Sequence, residues 1–206
     1  MKAGLNLMKK TLLSLALLIT LTMGAKAQFI LGLKGGADFS KIKADNLSAS
    51  TLTGYQGGIF MRSGSGNGVF FQPEIYLNSS GSRLYGQSTG NANYSLEENR
   101  VRFTNVSIPL LFGGAFGRRT LNFRVMAGPV YSIVVDKNRN FSDGFIATHP
   151  GIYNYVSNTL GYQGGIGGDV GAFTLDLRYE GGLTQINKDY AQKQNIWSIS
   201  LGFKVL

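Results

Sequence analysis

The sequence predicts an all-β chain: an eight-stranded antiparallel up-and-down transmembrane β-barrel that follows an N-terminal signal peptide. Three observations predict it. A short basic stretch and an apolar run open the chain, eight later segments alternate apolar and polar residues with period two, and the connections between those segments are short and long by turns. Composition agrees. The chain has 206 residues, 43% of them hydrophobic, 15% charged, 29 Gly and no Cys, whereas soluble domains average about 25% charged residues. Mean hydropathy is nevertheless near zero, which excludes a bundle of membrane helices. The lack of Cys excludes a disulfide scaffold, a thiol nucleophile and a Cys-based metal site.

The first element is the leader. Lys2, Lys9 and Lys10 precede the apolar run Thr11 to Met23, which leads into Ala25-Lys26-Ala27. This is a charged n-region, an h-region too short to span a bilayer as a helix, and an A-x-A cleavage signal. Residues 1–27 are therefore expected to be a signal peptide and 28–206 the mature barrel domain; Met8-Lys9-Lys10 would serve equally well as a start. The formal charge of +9 includes four Lys of the leader. Without them 16 basic residues face 11 acids, a balance of +5, and the case for nucleic acid as a partner falls away.

Eight strands follow, at Phe29–Phe39, Gly54–Arg62, Gly68–Ser79, Val101–Gly113, Leu121–Val134, Thr159–Val170, Ala172–Thr184 and Asn195–Leu206. The last is the clearest: Trp197, Ile199, Leu201, Phe203 and Val205 share one face, and Ser198, Ser200, Gly202 and Lys204 the other. Each is about the 9–11 residues a tilted strand needs to cross a bilayer. Strands two and three, four and five, and six and seven are joined by short turns, and the other connections are long. That is the pattern of outer-membrane barrels, with short periplasmic turns and long external loops. An even strand number places both termini on the periplasmic side.

Aromatic residues mark the strand ends. Phe29, Phe71, Phe112, Phe123, Phe173 and Phe203 lie towards one end; Phe39, Tyr55, Tyr131, Tyr162, Tyr179 and Trp197 lie towards the other. All twelve share the apolar face by parity, as two interfacial belts would. The fourth strand breaks the pattern, because Val101 and Phe103 are out of phase with Val106, Ile108, Leu110 and Phe112. A β-bulge near Thr104-Asn105, or a strand that leaves the membrane there, would repair it. Pro73, Pro109 and Pro129 each remove a ladder donor, and bulges are expected at them. The segment Gly54-Tyr55-Gln56-Gly57-Gly58-Ile59 recurs as Gly161-Tyr162-Gln163-Gly164-Gly165-Ile166, at the same point of strands two and six.

A soluble barrel would turn the apolar face inward. The belts, the loop asymmetry and the scarcity of charge favour lipid outside and a polar lumen. The lumen face then carries Lys34, Arg62, Arg124, Arg178 and Lys204 against Asp38, Glu74, Asp169, Asp176 and Glu180. Eight strands leave an interior that side chains can fill, and buried charges persist only when paired. The balanced set predicts a salt-bridge plug rather than an open pore, with Gly32, Gly36, Gly58, Gly165 and Gly167 making room for the long side chains.

Several segments resemble one family. Phe71-Gln72-Pro73-Glu74 with Ile75-Tyr76-Leu77 is similar to its third strand. Val106-Ser107-Ile108-Pro109-Leu110-Leu111, Ala127-Gly128-Pro129, and Leu175-Asp176-Leu177-Arg178-Tyr179 with Gly181-Gly182-Leu183-Thr184 resemble later ones. The family is the outer-membrane β-barrel family of Bacteroidetes, labelled "porin family" or PorT-like. The resemblance implies an OmpA/OmpX-like architecture and a place in the cell outer membrane, reached with the barrel-assembly machinery as a partner during biogenesis. Leu206 departs from the aromatic residue with which assembly signals usually end.

No catalytic, cofactor or metal constellation stands out. The sole His, His149, sits beside Pro150; Ser142, Asp143 and Ser157 follow no spacing that marks a nucleophile, base and orienting acid. Asp45, Glu97, Glu98, Asp136 and Asp143 lack the spacing of a calcium loop, and Gly161–Gly171 lacks the helix and Lys-Ser/Thr pair of a phosphate loop. Lys41, Lys43, Arg83, Arg100, Arg102, Lys137, Arg139, Lys188 and Lys193 fall on the external side, where lipopolysaccharide phosphates are possible partners. Three functions compete. They are a non-enzymatic anchor, loop-display or surface-assembly barrel, which is favoured; a narrow passive channel, as the family label implies; and a lipid-modifying enzyme at the rim.

Overall fold

Period-two alternation has one consequence for a chain whose strands pair in order: each strand presents one face to a common interior and the other outward, and closure removes both sheet edges. The computed structural model describes residues 29–43, 48–64, 67–85, 98–118, 120–140, 155–187, 189 and 192–206. These form β1 (Phe29–Lys43), β2 (Ser48–Gly64), β3 (Gly68–Tyr85), β4 (Glu98–Arg118), β5 (Leu121–Asn140), β6 (Asn158–Val170), β7 (Phe173–Gly182) and β8 (Lys193–Lys204). Each pairs antiparallel with the next, and β8 returns to β1 through a register running from Gly32↔Lys204 to Lys43↔Lys193. The fold is a closed eight-stranded up-and-down barrel, as the alternation predicts. The leader expected at residues 1–27 lies outside the described residues.

The end carrying the β2–β3, β4–β5 and β6–β7 connections is the turn end. In the two-residue connection Gly171-Ala172, Gly171 takes φ +59°, a left-handed conformation that side-chain-bearing residues seldom adopt. The opposite, loop end is uneven. β4 and β5 have 21 and 20 residues, but β7 and β8 only 10 and 12, so one side of the wall stands well above the other. The expected strands are all present, and β1 to β5 run farther towards the loop end than the alternation indicates.

The outer wall is apolar and belted. Phe173 faces Phe203, Leu175 faces Leu201, Leu177 faces Ile199 and Tyr179 faces Trp197 across the β7–β8 ladder. Ten of the twelve belt residues are exposed. Phe71 and Tyr179 are part-covered because they pack on Phe112 (ring centroids 4.7 Å) and Trp197 (5.1 Å). Phe29 and Phe39 bound β1 about 33 Å apart along the strand, roughly 25 Å along the axis at a usual tilt of about 40°, which matches the apolar band of an outer membrane.

Two details differ from expectation. The register does shift between Thr104 and Asn105, but the extra residue is Val135 on β5: Thr104 pairs with Asp136 and Asn105 with Val134. β4 alternates unbroken, so Val101 and Phe103 point inward, not to lipid. The prolines mark no bulge. Pairing keeps one register on both sides of them, as Pro73↔Leu110 and Tyr76↔Ser107 show; the other shift lies on β2–β3, between Thr51 and Gln56. A proline deletes one donor, but register is held by the alternation of the whole strand.

Nor is the interior uniformly polar. Phe70, Leu111, Ala115 and Met126 form a buried apolar cluster towards the turn end. At the loop end Val101, Phe103, Ile42, Leu52, Ile196, Tyr155 and Ile186 are all buried. Phe103 and Tyr155 pack edge to face at 4.9 Å. The segments bearing Tyr155 and Ile186 are tied together by the Val156 N–H to the Ile186 carbonyl, 2.9 Å, and by the Tyr155↔Asn187 bridge. The inward side chains thus stack as an apolar cap, a charged middle and a mixed floor.

Candidate functional site in the barrel lumen

The charged middle is assembled from seven strands. β1 supplies Lys34 and Asp38, β2 Arg62, β3 Glu74, β5 Arg124, β6 Asp169, β7 Asp176, Arg178 and Glu180, and β8 Lys204; inward positions of β4 carry no charge. Eight of the ten join in one alternating chain. Lys34 Nζ lies 2.6 Å from Glu74, and Glu74 also pairs with Arg178 at 2.8 Å. Arg178 contacts Asp176, which pairs with Arg124 at 2.8 Å. Arg124 reaches Asp169 at 3.0 Å, and Asp169 collects Arg62 at 2.8 Å and Lys204 at 3.4 Å.

In an eight-stranded ring the strand opposite β3 is β7, and the strand opposite β2 is β6. Glu74–Arg178 and Arg62–Asp169 are therefore bridges across the full lumen. Glu74 accepts four hydrogen bonds: two from Arg178, one from Lys34 and one from Gln72 Nε2 at 2.6 Å. Such density is what an ionised buried carboxylate requires.

The remaining two acids stand apart. Asp38 is hydrogen-bonded by Ser198 and Asn78, and Glu180 accepts from Gln163 Nε2 at 3.2 Å. Neither is ion-paired among the described residues. The balance of five cations and five acids thus resolves into five cations with three acids in the chain, and two acids nearer the loop end.

Neutral residues complete the network. Gln72 Oε1 accepts from Arg62 Nε (2.6 Å) and Arg124 Nη1 (3.4 Å), joining the two cross-lumen bridges. Gln163 spans the lumen to the Tyr76 hydroxyl at 3.0 Å, and Lys34 Nζ sits 4.5 Å from the Tyr76 ring centroid. Asn122 and Thr174 contact Asp169 and Arg124. All five share the inward parity of the charged residues, and that parity was the signal in the sequence that could have found them.

The lumen glycines divide by neighbour. A Cβ on Gly167 would strike Asp176 Oδ1 and lie 3.0 Å from Arg124 Nη2, and one on Gly165 would lie 2.7 Å from Arg178 Cγ. These two make room for the arginines. Gly32 and Gly58 instead accommodate Phe60 and Tyr76, and Gly36 the backbone of β8. The repeated segment therefore does one job twice: its last inward glycine, Gly58 or Gly165, seats the bulky inward residue of the adjacent strand.

His149, Ser142, Asp143, Asp45 and Glu97 lie outside the described residues. Ser157 and Asp136 are exposed. Among the described residues no cluster of three His, Cys, Asp or Glu could hold a metal. Of the basic external set, Lys41 and Lys193 are exposed, Lys137 donates to the Tyr155 carbonyl at 2.8 Å, and Arg102 reaches Ser79 at 3.5 Å. They sit on strand extensions, not in free loops.

Residues 8–188 match the family model described as the outer membrane protein beta-barrel domain. No curated protein matches the chain. Solved structures similar to it include Ail, the attachment invasion locus protein of Yersinia pestis, in complex with the heparin analogue sucrose octasulfate (12% identity, 86% of this chain and 99% of that one, TM-score 0.45). Others are Neisserial surface protein A (14%, 87% and 99%, 0.46) and the outer membrane protein OprG of Pseudomonas aeruginosa (15%, 88% and 98%, 0.48).

Proposed function

Because the chain belongs to the outer membrane protein beta-barrel domain family and sits as an eight-stranded barrel in the cell outer membrane, we propose that it works as a closed, non-enzymatic barrel. On this reading residues 1–27 export the chain and are removed, both barrel termini face the periplasm, and the loop end is displayed outside as an anchor or as a component of a surface assembly. The motifs that resemble those of PorT-like proteins support membership of that branch, and the exposed Lys41 and Lys193 suit contact with lipopolysaccharide phosphates.

One observation carries the reading: two ion pairs cross the whole lumen, Arg62–Asp169 and Glu74–Arg178, beneath an apolar cap. A water-filled path would have to break both bridges and part the cap. Planar-bilayer recording of the refolded protein tests this. The expected record is free of discrete openings, and remains so after Arg124→Gln or Asp176→Asn. Stepwise conductance in the wild type would replace the closed barrel with the narrow-channel reading. Altered lipid A or phospholipid profiles on expression, abolished by His149→Ala, would replace it with the lipid-modifying one.

A further inference from the structure

The turn end of the lumen holds a cavity of about 310 Å³, and the polar part of its wall is cationic. Arg62, Arg124 and Lys204 surround one carboxylate, Asp169, with Asn122 beside it. The second acid within reach, Asp176, is shared by Arg124 with Arg178. Positive charge is therefore in excess here. The two acids that restore the balance of the lumen are remote: Asp38 lies about 20 Å along β1 from Gly32, the partner of Lys204.

Polar atoms at the same wall lack partners in a complementary way. Arg62 is 5% exposed, and its guanidinium carbon sits 5.5 Å from the ring centroids of Phe60 and of Phe70. Its Nη1 and Nε are used by Asp169 and Gln72, but its Nη2 has no hydrogen-bond partner. Asn122 Oδ1 is a buried acceptor without a donor, while Asp169 Oδ1 faces the Arg124 guanidinium at 3.0 Å. Lys204 Nζ, at 3.4 Å from Asp169, is the most loosely held and most exposed of the five cations in the lumen network. An unused guanidinium N–H and a loosely held ammonium beside an unused amide oxygen call for a ligand that is an anion and also carries a proton.

We propose that this mouth binds a protonated tetrahedral oxyanion of the inorganic phosphate class. Its oxygens accept from Arg62 Nη2 and Lys204 Nζ, and its P–OH donates to Asn122 or Asp169. Phosphate keeps a proton near neutral pH; sulfate and the phosphodiester of a phospholipid do not, so the orphaned Asn122 Oδ1 selects the first. The site goes beyond the closed-barrel reading and does not depend on it, since the cavity is lined by turn-end residues and reaches up only to the Arg62–Asp169 bridge.

The test is calorimetric titration of inorganic phosphate into the full chain, folded in a phosphate-free maltoside detergent, with sulfate as the competing anion. Saturable one-to-one binding is expected for phosphate, with sulfate weaker by about tenfold or more. Arg62→Gln and Lys204→Gln should each weaken phosphate by about tenfold or more, the loss of one charge-assisted hydrogen bond. Arg118→Gln, exposed and outside the cavity wall, should bind like the wild type, and heat-modifiable gel migration checks the fold of every variant. If Arg62→Gln fails to fold, Lys204→Gln and the wild-type comparison of phosphate with sulfate still decide. Absence of saturable binding, equal binding of sulfate, or binding that both substitutions leave unchanged would each overturn the proposal.

Discussion

Glu74 on β3 and Arg178 on β7 meet across the barrel as a fork: Nη1 donates to Oε2 and Nη2 to Oε1, each at 2.8 Å. The two residues are 104 apart in sequence and belong to opposite walls, so the pair ties together strands that share no ladder. Its parallel geometry is the strong form of a guanidinium–carboxylate contact. Lys34 and Gln72 complete the shell of the carboxylate, and no water is needed to satisfy it.

Removing the carboxylate charge should therefore be costly. Glu74→Gln leaves Arg178 and Lys34 facing each other in a buried site, and urea unfolding in lipid vesicles should show a loss of about 3–5 kcal/mol. A double-mutant cycle with Arg178→Gln should return a coupling of about 1.5–3 kcal/mol. A coupling near zero would mean that the fork adds nothing to the folded barrel.

Two glycines on β6 offer a contrast at the same strand and with the same chemistry. A Cβ at Gly167 meets Asp176 and Arg124, whereas one at Gly164 finds nothing nearer than 3.9 Å. Gly167→Ala should destabilise by about 1–3 kcal/mol through overpacking, and Gly164→Ala should stay within about 0.5 kcal/mol of wild type. Equal effects in the same unfolding assay would contradict the packing of β6 against the arginines.

Trp197 is the single Trp of the chain; it is 53% exposed on the outer wall and packs at a tilt against Tyr179. In vesicles its emission should be blue-shifted. Lipids brominated near the headgroup should quench it strongly, and aqueous iodide weakly, because it sits in an interfacial belt. Efficient iodide quenching would place this wall in water.

The apolar cap should matter for stability without acting as the only barrier. Phe103 is 3% exposed, and Phe103→Ala should cost about 3–5 kcal/mol. The variant should still show no openings in planar bilayers, since both cross-lumen bridges lie beneath it. Openings in this single variant would assign closure to the cap alone.

How much of this was legible in the sequence depends on which physical constraint acts on a residue. Strand number, order, inward and outward faces and belt positions all follow from parity, and parity is imposed residue by residue by lipid on one side and a crowded lumen on the other. Strand ends at the loop end were less legible. β5 continues past Val134 to Asn140 and β3 past Ser79 to Tyr85, in stretches above the bilayer where ladder hydrogen bonds persist but lipid no longer enforces alternation. Val101 and Phe103 misled for the same reason. An apolar residue near a rim can face a cap as readily as lipid, and only the burial of Phe103 against Tyr155 decides between them.

The ten lumen charges could be picked out by face and sign alone, but not matched. Which cation meets which acid depends on strand tilt and on the stagger acquired at closure, properties of the whole ring that no local pattern contains. That is why Lys34 joins Arg178 on Glu74, why Asp38 and Glu180 have no cation partner among the described residues, and why the turn end carries the excess of positive charge. The sequence by itself determined a lipid-facing barrel with a charged interior. The tertiary structure alone decided how that interior is wired, because charges separated by a hundred residues become neighbours only when the sheet closes.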